Sequence, residues 1–404
     1  MTSPVSLAHG RSYLAIPGPS VMPEAVLQAM HCAAPNIYAG ELIDMMPGLV
    51  ADLKRVARTQ HHVAMYTGNG HAAWEAALAN VIRPGDTVLV PATGHFGIGW
   101  GGMAQALGSE VHLIDFGKQA PIEPARIAEA LKADTGPQIK AVLAVHVDTS
   151  TSIRNDIAAL RAVLDETGHP ALLMADCIAS LGCDVFEMDA WGVDIMVTGC
   201  QKGLMVPPGM SFVFFNDKAH ACRTAMPRVS KYWDWTPRAF PEHFFQYHGG
   251  HAPTHQLNGL RMALDMIHAE GMEAIWQRHA TLARAIWAAC ESWSTKGTFA
   301  MNVADRKHRS TAVTSLCLDA PQATDLRTWA EQHIGLTLGI GLGMAEPDDP
   351  AWHGFFRLGH MGHVNGHMIM GMLGGIEAGM TALGIEHGAG ALEAAAQALA
   401  TPEG

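Results

Sequence analysis

Two short stretches, Ala171-Leu-Leu-Met-Ala-Asp176 and Asp194-Ile-Met-Val-Thr-Gly-Cys-Gln-Lys202, decide how this chain is read. In each, an apolar run ends and a charged residue follows within a few positions. A strand that is apolar at nearly every position is buried on both faces, which marks a parallel sheet covered by helices. Working outward, Thr87–Pro91, Ala141–His146 and Ser211–Phe215 read as further strands, and helical stretches alternate with such runs from residue 60 to 260. Four of these strands run into polar residues: Thr93-Gly94-His95-Phe96, Asp148-Thr149-Ser150-Thr151, Asp176 and Gln201-Lys202. Ligands of open parallel sheets bind beyond the carboxyl ends of the strands, so these four ends point at one site.

Beyond this region, Asn258 to Ser292 reads as long helical sequence. Thr311–Leu318 (strand), Asp325–His333 (helix), Phe355–Leu358 (strand) and Val364–Leu383 (helix) follow, and an Ala-rich tail reads as a terminal helix. This pattern predicts a domain change near residue 275, between a large domain over 26–275 and a smaller α+β domain over 276–404. The 404 residues are 49% hydrophobic and 16% charged, a balance that suits two packed domains. A net charge of -12 with no run of Lys or Arg argues against a nucleic-acid surface. The start, MTSPVSLAHGR, has neither a basic leader nor an apolar core, and no stretch is apolar enough to span a bilayer, so a cytoplasmic protein is expected. Seven cysteines without metal-type spacing read as reduced thiols. His61-His62, His360 and His363 belong to no ligand framework, and no metal is expected.

Three features carry chemistry. Thr67-Gly68-Asn69-Gly70-His71 precedes the helical run Ala72–Ile82, where backbone N–H groups and the helix dipole offer an anion site; taken alone, such glycines read more readily as a tight turn. Lys202 follows an apolar strand, and desolvation there would lower its pKa and free its amine for Schiff-base chemistry; taken alone, it reads more readily as a surface lysine in a connecting loop. Asp176 needs a partner at the end of its strand, and a protonated pyridine nitrogen would serve; the other reading is a helix N-cap.

With these residues placed, the chain resembles the class V family of pyridoxal-phosphate (PLP) dependent aminotransferases, in its alanine-glyoxylate and serine-glyoxylate branch. The resemblance rests on Ile16-Pro-Gly-Pro-Ser20, Thr67-Gly-Asn-Gly-His-Ala-Ala-Trp-Glu75, His146-Val-Asp-Thr-Ser-Thr151, Ala175-Asp-Cys-Ile-Ala-Ser-Leu-Gly182, Thr198-Gly-Cys-Gln-Lys-Gly203 with Pro207-Pro-Gly209, and Arg357-Leu-Gly-His-Met-Gly362. It implies an α/β, PLP-dependent transferase fold of type I, with a mostly parallel seven-stranded sheet and a smaller C-terminal α+β domain. It implies Lys202 as the Schiff-base lysine and Asp176 as the pyridinium partner. Gly68, Asn69, Gly70 and His71 fall on the phosphate loop, with Gln201 beside it. Phe96 takes the place of the ring that stacks on the cofactor, and Thr149 that of the hydroxyl near its ring oxygen. Arg357 matches the arginine that grips the substrate carboxylate, although without the resemblance it reads as a surface ion pair. The resemblance alone implies an N-terminal arm over residues 1–25, in which Gly18 lines the same pocket.

The activity so implied is ping-pong transfer of an amino group, via pyridoxamine phosphate, from alanine, serine or a similar amino acid to a small 2-oxo acid such as glyoxylate or pyruvate. A homodimer with shared active sites is implied too, with His251 in the stretch Tyr247–Thr254 reaching a neighbour's phosphate. Three departures from the family pattern, at Asn36–Leu42, Tyr247–Thr254 and Ala345–Gly354, leave pyridoxamine, aspartate or ureidoglycine open as donors. A lyase of the cysteine desulfurase type needs a mobile cysteine near the arginine, and none follows Cys317. A non-catalytic binding protein has no need of both Lys202 and Asp176.

Overall fold

A computed structural model of the chain describes residues 6–136 and 138–401; residues 1–5 of the predicted arm and 402–404 of the predicted small domain lie outside them. The first strand, β1 (Tyr13–Ala15), comes from the arm. Seven strands then form one sheet: β2 (His62–Thr67), β3 (Thr87–Ala92), β4 (Glu110–Asp115), β5 (Ile139–Val145), β6 (Leu172–Asp176), β7 (Ile195–Gly199) and β8 (Met210–Phe215). Their order is β2-β8-β7-β6-β5-β3-β4. Only β8 runs against its neighbours, pairing antiparallel with both β2 and β7. The centre of the sheet is apolar on both faces because helices cover both: β6, β7 and β8 are buried at every position. The edge strand β4 is mostly exposed.

The remaining strands, β9 (Ala300–Met301), β10 (Val313–Cys317), β11 (Leu336–Ile340) and β12 (Phe355–Gly359), join β1 in a second sheet ordered β1-β11-β12-β10-β9. The arm is therefore woven into the C-terminal sheet, with β1 parallel to β11, a pairing that the sequence pattern does not announce. It passes close to β12, where a Cβ at Gly359 would stand 2.0 Å from the carbonyl oxygen of Ile16. Only a residue without a side chain allows that approach.

Five helices matter for the site: α1 (Gly70–Val81), α2 (His95–Ala106), α3 (Thr254–Glu270), α4 (Met272–Trp293) and α5 (Gly366–Ala382). The long helical stretch expected from Asn258 to Ser292 is two helices, α3 and α4, because Gly271 adopts φ 87° between them. Among the described residues no helix is long and apolar enough to cross a membrane. Nor can any cluster of His, Cys, Asp or Glu among them hold a metal ion. His360, for instance, spends both ring nitrogens on Thr314 Oγ1 and the Thr311 carbonyl, 2.9 Å each.

Candidate active site

At the carboxyl end of β6, Asp176 is buried, with 3% of its surface exposed. Its Oδ1 accepts the Ile178 N–H (2.7 Å) and its Oδ2 the Trp74 Nε1–H (2.8 Å). Burial pushes the carboxyl up to about 7, with a smaller push from Asp148; the two N–H donors and Lys202 act against it. Lys202 lies three residues past β7 and is also buried. Its amine is lowered to about 8, first by burial and then by the Arg357 charge, with Asp176 and Cys183 opposing. The Nζ donates to the Pro17 carbonyl of the arm. Gly18 follows with φ 108°, and a Cβ there would fall 2.3 Å from the Lys202 Nζ, so the arm leaves room for that side chain only as glycine.

The phosphate-loop candidates form the start of α1. Asn69 caps the helix by accepting the Ala72 N–H (3.2 Å). No described residue accepts from the N–H of Gly70 or His71, which are left to point at an anion. Gly70 is close-packed, since a Cβ there would meet Ile178 Cδ1 at 2.4 Å. The side-chain oxygen of Gln201 is buried without a partner among the described residues.

Phe96 opens α2. That helix has no cap from its own N-cap residue, Gly94, and is capped from across the sheet end instead. The fully buried Asp148 accepts the N–H groups of Phe96 (3.0 Å) and Gly97 (3.2 Å) through Oδ2, and the N–H and hydroxyl of Ser150 through Oδ1. Arg357, in the middle of β12, is 5% exposed. Its Nε donates to the Ile340 carbonyl (2.7 Å) and its Nη1 to the Thr149 carbonyl (2.8 Å). Among the described residues Nη2 has no partner, and no carboxylate forms an ion pair with this guanidinium. Burial lowers its pKa to about 10, with Asp148 opposing. One amine, one carboxylate and one half-open guanidinium thus converge from β7, β6 and β12.

The family described as aminotransferase class-V matches residues 12–351. This chain belongs to that family. It is 32% identical over 386 residues to the serine–glyoxylate aminotransferase of Methylorubrum extorquens, covering 93% of each chain. It is 33% identical over 392 residues to the L-aspartate–glyoxylate aminotransferase of Paracoccus denitrificans, covering 95% of this chain and 94% of the other. Among solved structures, the pyridoxamine-pyruvate aminotransferase of Mesorhizobium loti superposes with a TM-score of 0.85 at 25% identity, over 97% of this chain and 98% of that one.

In this class V aminotransferase, Lys202 lies against the arm at Pro17 and Gly18, Arg357 bonds the Thr149 carbonyl, and the charges of Asp176 and Arg357 both act on the Lys202 amine. Gly68 to His71 and Phe96 join them through the helix starts, and Gln201 through its chain neighbour. His251 does not join them within one chain. It is exposed and lines a separate cavity of about 730 Å³ with Ile37, Tyr38, Phe244, Phe245 and Ala252. Sequence reasoning assigns no role to three residues that the site uses: Trp74, Asp148 and Pro17. All three sit inside motifs quoted for the resemblance, so their signal is position within the motif rather than residue chemistry.

Proposed function

We propose that this aminotransferase binds pyridoxal 5'-phosphate and carries an amino group from a small amino acid, alanine, serine or similar, to a small 2-oxo acid such as glyoxylate or pyruvate, in two alternating half-reactions. One observation carries the reading: a desolvated lysine, a doubly hydrogen-bonded buried aspartate and an arginine with an open Nη2 meet beyond the ends of the parallel strands. The residues fit the group. Gly18 leaves the Lys202 side chain room within the site, and the Gln201 side-chain oxygen and the first N–H groups of α1 lack partners among the described residues.

Gly68, Asn69, Gly70 and His71 would hold the phosphate at the positive end of the α1 dipole, with Gln201 beside them. Phe96 would lie on the ring face, and the Thr149 hydroxyl would donate to the ring oxygen. Bound there, the cofactor supplies a protonated pyridine ring that draws electron density from the substrate α-carbon. Asp176 keeps a proton on the ring nitrogen by remaining charged beside it. Lys202 Nζ is the amine that would hold the cofactor's aldehyde carbon and that, when free, would take the proton from the substrate α-carbon and return it as general base and acid. Arg357 orients donor and acceptor through the carboxylate they share, using the open Nη2.

A homodimer fits this reading, with His251 serving the partner's site. Tyr38 (86% exposed) and Phe245 (57%) flank His251 and are apolar surface that a second copy would cover. All seven cysteines are unpaired thiols, which supports a reducing compartment such as the cytoplasm. The test is to mix the cofactor-loaded enzyme with a donor panel of serine, alanine, L-aspartate, pyridoxamine and ureidoglycine, then add glyoxylate or pyruvate. A small amino acid should bleach the visible absorbance and the oxo acid restore it; an absorbance unmoved by every donor would contradict the proposal. L-Aspartate belongs in the panel because of the Paracoccus relative, and pyridoxamine because of the Mesorhizobium structure.

A further inference from the structure

We propose that Trp74 is a positioning residue for the reaction: by donating its indole N–H to Asp176, it keeps that carboxylate charged and so keeps the cofactor's ring nitrogen protonated. This rests on the functional reading above and adds a residue to it. Trp74 stands on α1 one turn past the phosphate-binding start and is 1% exposed. Its ring meets His71 edge-on (centroids 4.6 Å apart, planes at 63°) and Phe96 likewise (6.3 Å, 67°), and lies parallel to Trp100 (6.0 Å, 13°). Gly99 on α2 lies beside the same ring, where an added Cβ would make ordinary contact at 3.6 Å. Packed on these sides, the indole cannot turn its N–H away from Asp176 Oδ2. A single rigid side chain thereby touches the phosphate-loop histidine, the stacking ring and the pyridine partner.

The electrostatic argument is one of competition. Burial of Asp176 favours the neutral acid, and Asp148 acts in the same direction. Where the carboxylate takes the shared proton it becomes the neutral acid, the ring nitrogen is left bare, and the ring would lose its pull on the α-carbon. Two fixed donors oppose that, one from the backbone of Ile178 and one from Trp74. The backbone donor cannot be removed by substitution, whereas the indole donor can.

Wild type, Trp74→Phe, Asp176→Asn and the double variant are loaded with pyridoxal 5'-phosphate isotope-labelled at the ring nitrogen. Nitrogen NMR then reads ring protonation, and the half-reaction with donor gives the rate. In Trp74→Phe we expect a partly deprotonated ring and a rate lower by roughly tenfold or more, the worth of one charge-assisted hydrogen bond. The KM should move less than the rate. Because Trp74 acts through Asp176, its replacement should cost almost nothing further in Asp176→Asn; losses that multiply in the double variant would show packing alone and overturn the proposal. A fully protonated ring and wild-type rate in Trp74→Phe would overturn it as well. A 3-benzothienylalanine at position 74, which keeps the shape and replaces N–H by sulfur, separates the same two outcomes should the Phe variant not fold. If wild type itself fails to take up the cofactor, the functional reading falls and this proposal with it.

Discussion

Asp176 and Arg357 are both buried charges on strands, yet the protein finishes one and leaves the other open. Each oxygen of Asp176 already accepts an N–H, from Ile178 and from Trp74, and the carboxylate sits at the end of a strand buried at every position. Arg357 is held by two main-chain carbonyls, those of Ile340 and Thr149, with Nη2 unused among the described residues. The first arrangement suits a resident partner whose position must not vary. The second suits a visitor, since the open Nη2 and an unpaired positive charge leave a donor for a carboxylate that comes and goes. The Arg357–Thr149 bond also ties the small sheet to the loop after β5.

Breaking the resident side should cost most. Lys202→Ala is expected to abolish turnover while cofactor remains bound noncovalently, as absorbance and dialysis would reveal; appreciable turnover in this variant would remove Lys202 from the chemistry. Next comes Asp176→Asn. Loss of a buried charged partner is worth about 3–5 kcal/mol, so the rate should fall by roughly a hundredfold to several thousandfold with cofactor still bound. Single-turnover kinetics would check this, and an unchanged rate would speak against it.

Breaking the visitor side should cost less. Arg357→Lys keeps the charge but not the flat two-pronged donor, which predicts a loss of about ten- to a hundredfold in kcat/KM. The loss should be equal for donor and acceptor, because each in turn occupies the same place; a loss confined to one of them would contradict a shared carboxylate site. Gly18→Ala, between the two sides, forces a Cβ onto Lys202 at a φ that costs about 1 kcal/mol or more, and should weaken cofactor uptake roughly fivefold. The last expected effect is one of pH. Burial and Arg357 lower the Lys202 amine to about 8, so its neutral, reactive form grows as pH rises and saturates above that value. Cofactor uptake by the empty enzyme should therefore quicken by about tenfold per pH unit between about pH 6 and 7 and level off above about 8. Stopped-flow absorbance would show instead a rise continuing past about pH 10 if the lysine were an ordinary exposed one.

The resident side was also the more legible in sequence. Its residues follow apolar runs, so five strands of the large sheet could be named from the pattern, while Lys202 and Asp176, open alone to readings as a loop lysine and a helix N-cap, took their roles from the motifs of the resemblance. The antiparallel direction of β8 could not, since a strand buried on both faces reads the same either way. The parallel β1–β11 pairing joins residues more than 300 positions apart, and Tyr13–Ala15 alone carries no periodicity. Trp74 and Asp148 escaped for a related reason. An apolar-looking tryptophan on a helix reads as core, and only a fold that brings it to a carboxylate 102 residues away gives its N–H that partner. Asp148 likewise acts on the start of a helix some fifty residues earlier.

The central claim is that this aminotransferase carries its cofactor on Lys202, and one measurement tests it directly. The loaded enzyme is reduced with borohydride, digested and analysed by mass spectrometry. The cofactor-derived mass should appear on the peptide containing Lys202, in nearly every molecule, and should vanish if a donor amino acid is added before reduction. A label on another lysine, or none at all in an enzyme that still turns over, would contradict the account.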